Sequence, residues 1–360
     1  MPEIIERVGL ENLQPYQGGP QLPGIIMDAN ENAFPMPKQV SLKVQDVLAK
    51  IAFNRYPQID AAELRGLLAQ GVGLDTANIQ VGNGSSELLH ACAYAFGGEG
   101  RKLSYIYPSF SMYKIYAQLS GSVDCPFTLE RDFSLDFDKL KNFLQKERPA
   151  ILFICNPNNP TGNYYDTDEL FRVIKEVDGL VLLDEAYMEF AGEEYSMFKY
   201  LSKLPNAAIL RTFSKAYGLA SGRVGYIAAT NRKIIDILGK VLLPYHVNAL
   251  SLAVAQVVYQ NRNFYKECIS SIIKERDEVS AALSSFGYTV YPSKTNFIFF
   301  SADDKTGELV NFLGERGIIL RSFATNPDLR GIRMTMGTGE ENEKALAQIK
   351  EFLIENAGGI

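Results

Sequence analysis

Short apolar runs separated by polar turns recur through the first two-thirds of the chain, at 79–81, 103–107, 150–155, 180–183 and 207–210. They show little apolar/polar alternation, as expected of strands buried on both faces. Between them lie segments with helical spacing of apolar positions, among them 41–52, 62–70 and one that runs to Phe96. Strands alternating with helices predict an α/β fold with a mostly parallel central sheet covered by helices. A single long helix is predicted at 251–285, followed by strands at 289–290, 296–300, 318–320 and 331–336 and a last helix at 341–355. This later set reads as a smaller α+β unit with an antiparallel sheet. Residues 1–27 contain Pro15, Gly18, Gly19, Pro20, Pro23 and Gly24 and read as an irregular, extended arm. The pattern therefore divides the chain into an arm at 1–28, a large domain at 29–247 and a small C-terminal domain at 248–360.

Composition narrows the partners. A chain of 360 residues, 46% of them hydrophobic, can build two cores. A net charge of −6 with acids and bases interspersed leaves no basic footprint for nucleic acid and no polybasic membrane arm. Glu3 and Glu6 interrupt the start, which reads as neither signal peptide nor anchor. The stretch 241–259 approaches spanning length but holds Pro244, His246, Asn248 and Gln256, so a buried helix starting near Asn248 is expected instead. Cys92, Cys125, Cys155 and Cys268 lack CxxC spacing and fit reduced thiols in a cytoplasmic protein. His90 and His246, without further ligand spacing, predict no metal site. Small soluble molecules are the expected partners.

Candidate chemistry gathers where strands end. The run at 207–210 delivers Thr212, Ser214 and Lys215, and Arg223 follows eight residues after the lysine. An amine, two hydroxyls and a guanidinium on one turn suit a ligand with both an aldehyde and a phosphate: the amine condenses with the first and the others hold the second. Gly82-Asn83-Gly84-Ser85-Ser86-Glu87, between a strand and a helix, offers backbone N–H groups at the positive end of a helix dipole, an anion site that lacks the features of a dinucleotide fingerprint or a P-loop. Taken singly, it could equally be a helix start capped by Ser85. Asn156 opens the irregular turn Asn156-Pro157-Asn158-Asn159-Pro160-Thr161-Gly162, with an amide able to bond a ring substituent. Asp184 closes an apolar strand, where it must meet a cation, cap a helix or lose its charge. Arg321 ends a predicted strand, and Arg333 alternates with Ile332 and Met334, so that it can face a cleft and fork a carboxylate or phosphate.

A phosphate cradle, an asparagine turn, a strand-end aspartate, a strand-end lysine and a following arginine, in this order, jointly specify a pyridoxal 5'-phosphate (PLP) site. Over nearly its whole length the sequence resembles the fold-type I PLP-dependent aminotransferases. Within them it is most similar to the histidinol-phosphate aminotransferase subgroup, through Leu13-Gln14-Pro15-Tyr16, Asp28-Ala29-Asn30-Glu31-Asn32, Asn54-Arg55-Tyr56-Pro57, 107–113, 155–162, Asp184-Glu185-Ala186-Tyr187 and 212–226.

The resemblance implies that Lys215 holds PLP as a Schiff base, Asp184 pairs with the pyridine nitrogen, and Tyr187 and Asn156 bond the ring oxygen. It implies that Phe110 stacks on the ring and that Ser85, Ser86, Ser214 and Arg223 bind the cofactor phosphate, joined by Tyr56 from the partner of a homodimer. Tyr16, Asn30, Arg321 and Arg333 would line the substrate pocket. Ser86 stands where the family usually has Asp, and Phe110 where it often has Tyr; the backbone donors and the stacking face survive both changes. The implied reaction transfers an amino group from L-histidinol phosphate to 2-oxoglutarate, giving imidazole acetol phosphate and glutamate in histidine biosynthesis. Decarboxylation of L-threonine O-3-phosphate and transamination of aromatic amino acids are the alternatives.

Overall fold

The computed structural model describes residues 6–7, 9–11, 13–15, 23–326 and 328–357. In chain order its strands are β1 (Ile25–Met27), β2 (Ile79–Gly82), β3 (Lys102–Tyr107), β4 (Val123–Asp124), β5 (Phe127–Thr128), β6 (Ile151–Cys155) and β7 (Leu180–Asp184). There follow β8 (Ala207–Thr212), β9 (Gly225–Ala228), β10 (Thr289–Tyr291), β11 (Phe297–Ser301), β12 (Ile318–Ser322) and β13 (Ile332–Thr335).

The larger sheet has the order β2-β9-β8-β7-β6-β3-β4, with β5 also paired to β3. Strands β3, β6, β7 and β8 are mutually parallel. The central strands β6, β7 and β8 are buried along their whole length, which is why they read as unbroken apolar runs. Strand β9, not anticipated from the sequence, runs antiparallel to both β8 and β2. Because β9 is the one reversed strand of the path, the carboxyl ends of β2, β8, β7, β6 and β3 all open on the same edge. Open α/β sheets bind ligands at that edge.

The smaller sheet, β1-β12-β13-β11-β10, is antiparallel except for the β1–β12 pair. Residues 25–27 are thus a strand and not part of an irregular arm: Ile25 and Met27 join a buried face, and hydrogen bonds to β12 satisfy their backbone. The helices Lys266–Ser285, Thr306–Glu315 and Gly339–Ala357 cover this sheet, bringing Ile272, Val279, Leu309, Leu313 and Ile349 onto Phe297, Ile332 and Met334. Each such fully buried side chain contributes on the order of 2 kcal/mol.

The single helix expected at 251–285 is two, Ala249–Gln260 and Lys266–Ser285, separated by a short 3-10 turn at Arg262–Tyr265. Asn248 caps the first by accepting from the Ser251 N–H. That helix packs through Leu252, Ala255 and Val258 on Val40 and Leu64, from helices Lys38–Leu48 and Ala62–Val72 beside the larger sheet. Among the described residues no helix is long and apolar enough to cross a membrane.

Candidate active site

Asp184 closes β7 and is 4% exposed. Its Oδ2 accepts from Tyr113 Oη at 2.7 Å and its Oδ1 from the Ala186 N–H at 3.2 Å. Burial pushes its carboxyl up to about 6, against the opposing pull of these hydrogen bonds and of Lys215. A cation delivered to it would restore the full charge.

Lys215, three residues beyond β8, is part-buried and donates from Nζ to the Ala29 carbonyl at 3.0 Å. Burial, reinforced by the positive charges of Arg333 and Arg223, pulls its ammonium down to about 7. At neutral pH a large share of it is the free amine, the form that attacks an aldehyde. Ser214 is buried and linked through its Oγ to Thr212 Oγ1 at 3.1 Å.

The strand, glycine turn and helix start expected around Gly82 to Glu87 are present, with one refinement. No side chain caps the helix Ser85–Phe96, so Ser85 does not act as a cap and the N–H groups at its start stay available to a ligand. Gly84 has φ +80°, and a Cβ there would lie 2.6 Å from Arg223 Nη2. A Cβ on Gly225 would lie 2.6 Å from the Ser85 nitrogen. Two glycines thus let the helix start, β9 and the exposed Arg223 guanidinium converge. Glu87 accepts from the Asn83 N–H and from a His246 ring nitrogen, both at 2.6 Å. Burial disfavours its charge, but these bonds outweigh it and hold Glu87 below the usual carboxylate range.

Tyr187 is buried under the Lys215 amine, whose nitrogen lies 5.9 Å from its ring centroid, and its Oη accepts from Asn30 Nδ2 at 3.0 Å. That bond leaves the phenol proton free to point elsewhere. Asn30 has φ +54° and is also tied to Thr335, which receives its N–H at 3.0 Å and donates back to its Oδ1 at 3.2 Å. Its side chain is therefore committed to Tyr187 and Thr335, and Asn30 orients the Tyr187 phenol. The Asn156 amide, expected to be free, is engaged at both ends by the Tyr165 backbone, at 3.0 and 2.8 Å, because the turn after β6 folds back over it. One Nδ2 proton remains for a ligand.

Arg321 and Arg333 are directly paired across β12 and β13, and so project from the same face of the sheet. Arg333 donates to Asn159 Oδ1 at 2.6 Å and to the Asp28 carbonyl, while its strand neighbours Ile332 and Met334 are fully buried. Phe110 follows β3 and meets Tyr113 edge-on, with ring centroids 5.6 Å apart. Tyr56 stands apart: it is 81% exposed and stacks on Tyr245 at 4.6 Å. Tyr16 lies outside the described residues.

Sequence reasoning missed several contributors. Tyr113 sits three residues after Phe110, a spacing that brings side chains together at a helix start. Tyr116, one helical step further, stands beside Ser86 and Arg223. Beneath the site, buried Arg211 bonds Glu185 and Glu193, both at 2.9 Å, and Glu189 at 3.3 Å. Burial opposes its charge, but the glutamates hold it protonated, while burial with Glu193 nearby pushes Glu189 up to about 7. Glu185, Glu189 and Glu193 recur every fourth residue, the one signal that could have revealed them.

A buried carboxylate short of a cation, an amine drawn toward neutrality and an uncapped helix start beside the exposed Arg223 guanidinium fit a phosphorylated pyridine aldehyde. The chain is 38% identical over 330 residues to the histidinol-phosphate aminotransferase of Thermoanaerobacter pseudethanolicus, covering 91% of this chain and 93% of that one. Its fold matches the histidinol-phosphate aminotransferase of Sinorhizobium meliloti in complex with pyridoxal-5'-phosphate, with a TM-score of 0.86 at 22% identity, over 96% and 97% of the two chains. It also matches L-threonine-O-3-phosphate decarboxylase from Porphyromonas gingivalis, with a TM-score of 0.78 at 24% identity, over 91% and 99%. At those identities the two structures speak for the fold alone. The profile of the family described as aminotransferase class I and II matches residues 23–349, and the chain belongs to that family.

Proposed function

We propose that this chain is a PLP-dependent aminotransferase that moves the amino group of L-histidinol phosphate to 2-oxoglutarate. The observation that carries the reading is the paired Arg321 and Arg333 on one face of the smaller sheet, with the Asp28 and Ala29 carbonyls linking Arg333 to Lys215 and the Asn30 amide reaching Tyr187. Two guanidiniums can hold a phosphate dianion in one half-reaction and glutamate's carboxylates in the other. Family membership and the similarity to the Thermoanaerobacter enzyme support it.

When bound, PLP would supply an aldehyde that condenses with amines and a pyridine ring that accepts the electron pair released at the substrate Cα. Asp184 would hold a proton on the ring nitrogen, Tyr187 and Asn156 would bond the ring oxygen, and Phe110 would cover one ring face. Ser85, Ser86, Ser214 and Arg223 would bind the phosphate. Lys215 Nζ, as a neutral amine, would take the proton from the substrate Cα.

A homodimer completes the proposal. Phe53, Tyr56, Ile59, Leu243 and Tyr245 are large apolar side chains left exposed, and they lie in the segments that surround Tyr56 and the ring stacked on it. In the dimer Tyr56 would reach the partner's cofactor phosphate.

The test is the visible spectrum of the PLP-loaded protein, titrated separately with L-histidinol phosphate, L-threonine O-3-phosphate and L-phenylalanine while carbon dioxide is monitored. Loss of the cofactor's visible band at low histidinol phosphate, restored by 2-oxoglutarate, is expected. Carbon dioxide from threonine phosphate would make the protein a decarboxylase. Bleaching by phenylalanine alone would move it to the aromatic transaminases.

A further inference from the structure

Tyr113 is fully buried and belongs to no role assigned so far. It lies in the first turn of the helix Met112–Ser120, far in sequence from β7, yet its hydroxyl donates to Asp184 Oδ2 at 2.7 Å. Its ring has little freedom: it is tilted against Tyr105 at 6.0 Å and Phe153 at 5.2 Å, and Phe110 meets it at 90° and 5.6 Å. The one other hydrogen bond to the Asp184 carboxylate among the described residues comes from the Ala186 backbone, on the opposite oxygen. A packed ring therefore fixes one carboxylate oxygen and, through the perpendicular contact, the aromatic plane of Phe110.

We propose that Tyr113 is a positioning residue for the PLP reading given above: its hydroxyl holds Asp184 in the orientation and ionised state that grip the ring nitrogen, while its ring, perpendicular to that of Phe110, sets Phe110 against the ring face. The argument rests on that reading of Asp184. A phenol suits the task because it donates a strong bond to a carboxylate without bringing a positive charge that would compete with the ring nitrogen. A buried carboxylate deprived of such a donor tends to take up a proton, and a neutral acid no longer holds the pyridinium. The ionisable groups that face Asp184 are Tyr113, Tyr116, Cys155, Glu185, Tyr187 and Lys215; of these only Tyr113 donates a side-chain hydrogen bond to it.

The experiment compares wild type, Tyr113→Phe, Asp184→Asn and the double variant by equilibrium PLP affinity and by the pH dependence of the bound cofactor's spectrum. Tyr113→Phe keeps the ring and is expected to weaken PLP binding about tenfold, the loss of one charge-assisted hydrogen bond. It should also move the spectral titration, whereas the same change in the Asp184→Asn background should weaken binding less than about threefold, because the two residues act as one unit. A ring-fluorinated tyrosine at 113, a stronger donor of nearly the same volume, should move the titration the opposite way and keeps the test decisive if Tyr113→Phe does not fold. Equal losses in both backgrounds, or an unmoved titration, would reduce Tyr113 to packing and overturn the proposal. Failure of the wild type itself to take up PLP would instead overturn the underlying functional reading.

Discussion

Replacing Lys215 by methionine is expected to remove a specific part of the pH dependence of stability in the cofactor-free protein. In the folded chain burial, with Arg333 and Arg223 adding, brings this amine from 10.5 down to about 7. In the unfolded chain it returns to about 10.4. Below about 7 both states carry the proton and the folded state bears the full cost of a charged amine in a poorly solvated place. Between the two values the unfolded chain binds a proton that the folded chain does not, so stability rises with pH, by at most about 1.4 kcal/mol per unit. From about pH 7 to about pH 9 the wild type should thus gain about 2 kcal/mol from this residue alone. Urea denaturation of wild type and Lys215→Met at both pH values measures it, since tyrosines and cysteines common to the two proteins cancel. The methionine side chain keeps most of the apolar stem, so lost packing contributes little. Equal gains in the two proteins would refute the reasoning, and with it the idea that the fold prepares a neutral amine before any cofactor arrives.

Other outcomes follow from the same geometry. Arg223→Ala should weaken PLP binding by about tenfold or more, through the lost charged hydrogen bonds, yet leave urea stability of the cofactor-free chain within about 0.5 kcal/mol, because the side chain is exposed. Gly225→Ala should cost about 2 kcal/mol in urea and weaken PLP binding together, since the new Cβ would press on the Ser85 nitrogen that begins the cradle helix. Chains carrying Tyr56→Ala and chains carrying Lys215→Met should each be nearly inactive, but refolded as a mixture they should regain activity, because one site of each mixed dimer is then intact. No recovery, with mixed dimers verified by mass, would place Tyr56 in its own chain's site or in neither.

Much of this architecture was readable because strands buried on both faces leave unbroken apolar runs, and the parallel sheet puts its chemistry at their ends. Asp184, at the end of β7, and Lys215, just past β8, stand out in the sequence for that reason, and Arg223 through its place on the same turn. Strand β9 escaped notice because Gly225 to Ala228 is short and follows directly on the Arg223 turn. The break at 261–265 contains neither proline nor glycine, so helical periodicity carried across it. Tyr113 and Arg211 were hidden for a different reason: their meaning lies in partners brought by tertiary packing, and a tyrosine in an apolar helix or an arginine within a strand says nothing alone about what it will touch. Asn156 shows the converse. Its position was evident, but the fold spends both ends of its amide on Tyr165, which no spacing announces.

The pairing of β1 with β12 has a consequence for the order in which the molecule is made. The two strands come from opposite parts of the chain, and the residues just after β1 orient Arg333, Lys215 and Tyr187. Strands β6 to β8 have all their neighbours once Ala228 has been synthesised, so the larger sheet can assemble while the ribosome is still working on the rest. The segment after β1 can meet Lys215 and Tyr187 earlier, but its pairing with β12 and its bonds to Arg333 and Thr335 wait until β12 and β13 emerge. Competence to capture the cofactor should therefore appear late and abruptly during translation, which ribosome-stalled chains of graded length, assayed for PLP uptake, can follow.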